Sequence, residues 1–192
     1  MAMVTMVFRS ERGGRWGWHQ LDRRWARRLV DEAGIRRGDL VVDVGAGAGV
    51  ITRELVARGA RVVAVELHPR RAELLKSRFT GQAMTVVRAD ASALRLPGRP
   101  FKVVANPPFA ITTSLLRHLT NPRSQLELAV VVLPTWAATR WASGRGVGGI
   151  TSKRMFSVDI CVRLPDAAFT PAPPRSTTAV IITRAPSPRR GR

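Results

Sequence analysis

The sequence predicts an α/β fold built on a doubly wound, mostly parallel sheet, and three observations predict it. Short runs that are apolar at almost every position recur along the chain: "LVVDVG", "RVVAVE", "MTVVRAD", "FKVVANPPF" and "LELAVVVL". Most are separated by segments whose apolar residues fall at helical spacing. A strand apolar on both faces must be covered on both, and helices between such strands carry the chain back for the next parallel one. The third observation is size: 192 residues with 45% hydrophobic content give room for one well-buried domain and not two.

Taken in order, residues 1–15 bear glycines and read as a flexible segment. "WGWHQLDRRWARRLVDEAGI" (16–35) puts Leu21, Trp25, Leu29 and Ala33 on one stripe, with Arg23, Arg24, Arg27 and Arg28 largely off it. It predicts a basic amphipathic helix. The run from Leu40 leads to a helix over Val50 to Arg58, the run from Arg61 to a helix over Arg70 to Phe79, and "MTVVRAD" to a short connection. "FKVVANPPF" leads to a helix over Ile111 to Leu119, and "LELAVVVL" (126–133) follows as a strand. Beyond it "ASGRGVGGITSK" reads as a loop, and "RMFSVDICVRL" and "TTAVIITR" as two later strands. "PDAAFTPAPPRS" (165–176) is too rich in proline to be either element. The domain is expected to run over 16–184, with 185–192 a basic tail that has nothing to bury, and there is no internal repeat.

Composition narrows the partners. Lys and Arg number 32 against 13 Asp and Glu, a net charge of +19. A field of that sign recruits polyanions, and its arginine bias suits phosphate and nucleobase contacts, so nucleic acid leads over a merely solubilising surface or an anionic membrane. The single Cys161 excludes an intramolecular disulfide and reads as a small buried residue, compatible with a reducing cytosol and a cytoplasmic location. No apolar run is long enough to span a bilayer, and the N-terminus lacks a secretory core, so neither membrane nor export is expected.

Two stretches carry chemistry. In "VVDVGAGAGVITREL", Asp43 ends the first strand and Gly45, Gly47 and Gly49 follow, letting the backbone turn sharply and a ligand approach closely. Glu66 closes the second strand about 20 residues later, the place for a carboxylate that accepts ribose hydroxyls. Asp90 closes the third, where it either accepts from an exocyclic amine or caps the next turn. No phosphate-binding G-x-x-x-x-G-K-[ST] occurs, so an adenosine cofactor without phosphates fits better than a nucleotide. In the second stretch, Asn106-Pro107-Pro108-Phe109, the prolines end the strand and hold an amide, donor-free carbonyls and a phenyl ring in a rigid turn.

On these residues the chain resembles S-adenosylmethionine-dependent methyltransferases that modify adenine N6. It is most similar to the Erm rRNA methyltransferases that confer macrolide, lincosamide and streptogramin B resistance. "DVGAGAG", Glu66, Asp90 and "NPPF" carry the likeness, with "VVAVELHPRRAELLKSRF" and the late "AFTPAPPRSTTAVI", over residues 16 to 184. The resemblance implies a Rossmann-like catalytic domain that holds S-adenosylmethionine through His19, Gly45, Ala46, Gly47, Gly49, Glu66, Leu67, Asp90, Ala91 and Asn106, with no metal. It implies that Asn106 and the Pro107 carbonyl accept the hydrogens of the target amine. Phe109 would stack on the base, with Phe169 against its other face. The implied partner is rRNA, the 23S species first, met by a monomer.

The sequence departs from that family in several places. Trp18-His19-Gln20-Leu21 stands where the family has Q-N-F-L, so His19 either takes over a cofactor contact or faces solvent. Leu133-Pro134-Thr135 replaces a glutamine-bearing helix start, and Arg175 and Thr177 replace a valine and a serine. The chain also stops where members usually continue into a small helical domain. RNA contacts are therefore expected from Arg23, Arg24, Arg27 and Arg28, from Arg140, Arg145, Lys153 and Arg154, or from the tail. A small-subunit rRNA adenine dimethylase and a non-catalytic nucleic-acid-binding module on the same fold are the alternatives.

Overall fold

The computed structural model describes residues 19–145 and 154–185. The expectations for residues 1–15, Trp18, Lys153 and most of the basic tail lie outside the described residues.

Among the described residues, seven strands form one sheet in the order β4-β3-β2-β5-β6-β9-β7. These are β2 (Leu40–Val44), β3 (Arg61–Val65), β4 (Met84–Val87), β5 (Phe101–Ala105), β6 (Leu126–Pro134), β7 (Phe156–Leu164) and β9 (Thr177–Arg184). Pairing is parallel from β4 to β6, while β9 runs antiparallel between β6 and β7. The α-helices that lie wholly within the described residues are α1 (Arg23–Glu32), α2 (Val50–Ala57), α3 (Pro69–Arg78), α4 (Thr112–Leu119) and α5 (Thr135–Ala142). The doubly wound, mostly parallel sheet read from the sequence is the fold observed.

The all-apolar strands explain the two cores. Successive side chains of a strand point to opposite faces. Val103, Val131 and Leu133 accordingly join the layer under α4 and α5, whereas Val104, Val130 and Val132 join the layer under α1 and α2. Both layers hold leucines with no exposed surface, Leu115 and Leu116 in one, Leu29 and Leu55 in the other. Each such side chain contributes about 1.5 to 3 kcal/mol by leaving water.

Three local readings are corrected by tertiary contacts. The first helix begins at Arg23, capped by the Asp22 carboxylate, which accepts from the Arg24 N–H at 2.8 Å. Leu21 lies outside it, on the two-residue β1 (Gln20–Leu21), and the buried stripe is Ala26, Leu29 and Val30, with Trp25 only half-buried. The proline-rich 165–176 stretch holds β8 (Phe169–Thr170), which pairs antiparallel with β1. Finally, "TWAATRWA", unassigned in the sequence, is α5; Ala137, Ala138 and Trp141 bury one face of it.

β2 and β5 are neighbours, but the chain winds from β2 towards β3 and β4 on one side and from β5 towards β6 on the other. At such a switch point the loops leaving two adjacent strands diverge and open a crevice at the strands' carboxyl ends. The loops that diverge here are "GAGAG" and "NPPF".

Candidate functional site

The crevice is lined by His19, Gln20, Leu21, Asp43, Gly45, Ala46, Gly47, Ala48, Val50, Ile51 and Asn106. It unites three separate stretches of sequence. One wall is the glycine loop after β2. Gly45 takes φ +75° and sits so close to the opposite wall that a Cβ there would meet Pro108 Cδ at 3.3 Å. A side chain there would have to push Pro108 back by a few tenths of an ångström while adopting a left-handed backbone that favours glycine. Gly49 acts elsewhere. It opens α2 at φ +80°, and a Cβ on it would strike Leu75 at 2.7 Å and Phe79 at 2.8 Å. It makes room for α3 and does not line the crevice.

The loop spends its donors internally. The N–H groups of Gly45 and Ala46 both reach the Val65 carbonyl, at 2.9 and 3.0 Å, and Gly47 N–H donates to Glu66 Oε2 at 2.8 Å. A loop with these amides consumed is a poor phosphate cradle. Acceptors are what the crevice offers. Glu66 is buried at the end of β3; its Oε1 accepts from the His68 N–H at 2.8 Å and lies 3.5 Å from Arg71 Nε. Glu66 is thereby fixed against the loop.

Asp43, noted at the end of the first strand but given no role from sequence, is the most perturbed acid. It is 1% exposed; Thr52 donates its hydroxyl to Oδ2 at 2.6 Å, while Oδ1 is buried with no hydrogen-bond partner among the described residues. Burial above all, opposed by the Thr52 hydrogen bonds and aided by the nearby Glu66 charge, pushes its pKa up to about 7. The D-x-G-x-G pattern at a strand end was the signal available in the sequence.

The other wall is assembled over long range. Asn106 directly follows β5, and its Nδ2 donates to the His19 carbonyl at 2.9 Å, which leaves Oδ1 as the free end of a fixed amide. His19 in turn has Nδ1 3.0 Å from the Pro171 carbonyl oxygen, and its ring stacks on Phe109, centroids 6.0 Å apart at 29°. The histidine departure thus joins the Asn-Pro-Pro-Phe turn. Phe109 is half-buried in a 3₁₀ turn (Phe109–Ile111) leading into α4.

Phe169 lies on β8. Its pairing partner is Leu21, and the ring is 5% exposed in the layer beneath α1 and α2. The expectation of a second ring against a base is corrected here to a core residue, because strand pairing with β1 turns the side chain inwards. Leu67, 40% exposed, follows Glu66, and Asp90 and Ala91 follow β4, with Ala93 N–H closing a turn onto the Asp90 carbonyl. These three lie along the same sheet edge, outside the crevice lining.

The arginine helix divides. Arg23 pairs with Glu54 of α2 at 2.9 Å, and Arg28 lies 3.9 Å from Glu32 with its guanidinium 5.3 Å over Trp25. Arg24 and Arg27 are exposed without an ion pair among the described residues, as are Arg140, Arg145 and Arg154. Cys161 is half-buried; burial and the Glu32 carboxylate raise its thiol to about 11, so it is no nucleophile at neutral pH. Among the described residues no group of three His, Cys, Asp or Glu could hold a metal, and no helix is long and apolar enough to cross a membrane.

Comparison with known proteins agrees with this architecture. Residues 20–189 match the model of the ribosomal RNA adenine dimethylase family. The ribosomal RNA small subunit methyltransferase A of Acidobacterium capsulatum is 34% identical over 158 residues, 77% of this chain and 56% of that protein. The mycinamicin-resistance protein MyrB of Micromonospora griseorubida is 34% identical over 173 residues, 88% of this chain and 54% of that one. The chain therefore spans about half the length of the curated relatives it matches. Among solved structures, the 23S rRNA methyltransferase ErmE superposes with a TM-score of 0.78 at 27% identity, covering 87% of this chain and 70% of that one. With the fold, the glycine loop and the strand-end Asn-Pro-Pro-Phe turn all in place, the chain belongs to the ribosomal RNA adenine dimethylase family.

Proposed function

We propose that the chain transfers a methyl group from S-adenosylmethionine to N6 of an adenine in large-subunit rRNA, and that the modification protects ribosomes from macrolide-type drugs. The observation that carries the reading is Asn106. It is held at the switch point by the His19 carbonyl, so that Oδ1 is presented as an acceptor beside the donor-poor glycine loop.

The residues present fit the methyl donor. Asp43, with an orphaned buried oxygen in the crevice lining, and Glu66, behind the glycine loop at the end of β3, suit a cation that brings its own N–H and O–H donors, and the consumed loop amides disfavour a phosphate ligand. Asp43, Gly45, Ala46, Gly47 and Glu66 would hold it, and Leu67, Asp90 and Ala91 would extend the contact along the sheet edge. When bound, S-adenosylmethionine supplies an electrophilic methyl group on a sulfonium.

The chain's own contribution is alignment. An adenine amine is a weak nucleophile because its lone pair is delocalised into the ring. Asn106 Oδ1 and the Pro107 carbonyl accept its two hydrogens, favour the positive charge that develops on nitrogen and fix the lone pair's direction. Phe109, braced by His19, offers the face on which a base drawn out of RNA would stack. No strong general base is needed, since the proton lost from a cationic N6 passes readily to water.

The large-subunit assignment is supported by the likeness to the 23S rRNA methyltransferase ErmE, and the drug-protection reading by the match to the mycinamicin-resistance protein MyrB over 88% of this chain. The small-subunit reading is favoured by a 39% identity over 133 residues to the small subunit methyltransferase A of Leifsonia xyli. Sequencing-based mapping of methylated adenines in rRNA from cells with and without the chain decides. The expected result is a new N6-methyl mark in large-subunit rRNA that disappears with Asn106→Ala. A mark confined to small-subunit rRNA would move the substrate, and no mark in either would overturn the reading.

A further inference from the structure

Trp136 has no part in the crevice, yet it is 58% exposed, the most open of the large hydrophobic side chains among the described residues. A single exposed apolar side chain is ordinary in itself, and what distinguishes this indole is its place in the fold and the charges around it. Its position is defined by three contacts. Ala105 of β5 is paired with Val131 of β6, so Pro134 stands three residues, about 10 Å, further along the direction in which Asn106 leaves the sheet. Trp136 follows two residues later, in the first turn of α5. Thr135 ties that turn to the late loop: its N–H donates to the Ser176 carbonyl at 2.9 Å, and its hydroxyl is 2.9 Å from that of Thr178. The same loop begins at Pro171, the residue held by His19.

The indole is therefore on the rim of the acceptor wall. α5 buries Ala137, Ala138 and Trp141, which leaves Trp136, Thr139 and Arg140 on its outer face, with Arg140 four residues and so about one turn beyond the indole. Arg175 is exposed in the tethered loop beside Ser176. An aromatic plane flanked by guanidinium groups on a chain of net charge +19 matches unpaired RNA, whose bases stack on such rings while its phosphates meet the cations.

We propose that Trp136 is a stacking platform for an unpaired nucleobase of the RNA strand beside the acceptor adenine, with Arg140 and Arg175 holding the adjoining phosphates. The inference rests on the reading above that RNA is the substrate. It adds a subsite outside the catalytic crevice, one that holds the strand while the target base is drawn in.

The test uses the full chain and a fluorescein-labelled RNA hairpin with an unpaired adenine-rich loop, alongside the same stem closed into continuous duplex. Binding is read by fluorescence anisotropy, separately from methyl transfer to the hairpin. Trp136→Ala should weaken hairpin binding roughly five- to 100-fold, the range of losing one base–aromatic stack, and leave duplex binding unchanged. Trp136→Phe should restore most of the loss, and Arg140→Gln should lower the salt slope of binding by about 1. Melting temperatures check that the exposed substitutions keep the fold. Equal hairpin affinity in wild type and Trp136→Ala overturns the proposal even if the hairpin is methylated. So does a change of oligomeric state in Trp136→Ala with RNA binding intact, which would make the indole a contact between copies. Binding that depends on Trp136 without methylation of any RNA overturns the catalytic reading and leaves Trp136 as a stacking platform for RNA that is held and not modified.

Discussion

The two walls of the crevice are built in opposite ways. The glycine-loop wall is local: Gly47 meets Glu66 across 19 positions and Thr52 meets Asp43 across nine, all within one β-α-β unit. The acceptor wall is global. Asn106 reaches back 87 residues to His19, His19 reaches forward 152 to Pro171, and the loop after Pro171 is tied to α5 through Thr135. A wall made within one unit is preorganised by that unit, whereas a wall made of four remote segments is only as ordered as the whole sheet. Cofactor binding and acceptor alignment should therefore be separable by mutation.

The largest separation is expected between the two phenylalanines. Phe169→Ala empties a core position and should cost about 3 to 5 kcal/mol of stability in a denaturant titration. Phe109→Ala, at a half-buried turn, should cost far less stability and appear instead as a raised KM for RNA. Equal stability losses would mean that the acceptor wall is ordinary core. Next comes Asn106→Ala, expected to lower kcat by roughly two to three powers of ten, the scale of losing one aligned polar group, while calorimetry finds most of the S-adenosylmethionine affinity intact. Near-normal turnover would remove Asn106 from the chemistry.

Asp43 probes the local wall. Its folded pKa, about 7, is raised above the usual carboxylate value, so the folded chain holds a proton that the unfolded chain has released. Asp43's contribution to stability is full below about pH 4 and is lost as pH rises through 7. Asp43→Asn cannot lose it. The stability of the variant relative to wild type should therefore climb between pH 4 and 7, by roughly 2 to 4 kcal/mol at most, and level off above. A difference that does not change with pH would show that Asp43 stays ionised. The smallest effect is Glu66→Ala, which should weaken S-adenosylmethionine binding by roughly 1 to 3 kcal/mol with little change in RNA affinity. An unchanged dissociation constant would reduce Glu66 to a brace for Gly47 and His68.

The same contrast separates what can be read from the sequence from what cannot. The five parallel strands, α2, α3 and α4 are legible because each announces itself by a local period, and the glycine loop and Asn106-Pro107-Pro108-Phe109 because turn chemistry is confined to a few adjacent residues. α5 is not legible: an eight-residue helix with two threonines and two tryptophans has too short a stripe to stand out. Phe169 misleads for a related reason, since a ring in a proline-rich loop carries no sign of which strand will pair with it.

Burial period and backbone sterics act over a few residues, and they suffice to establish the layers, the order of the elements and the residue types at the two strand ends. Which of those residues face one another is set at the tertiary level. There Asn106 meets the His19 carbonyl and His19 meets Phe109, Gly49 serves α3 packing, Phe169 turns into the core and Trp136 stays on the rim. Those outcomes depend on strand order and on pairing between segments up to 152 residues apart. A contact at that separation is fixed by the assembled sheet as a whole, and no local pattern encodes it.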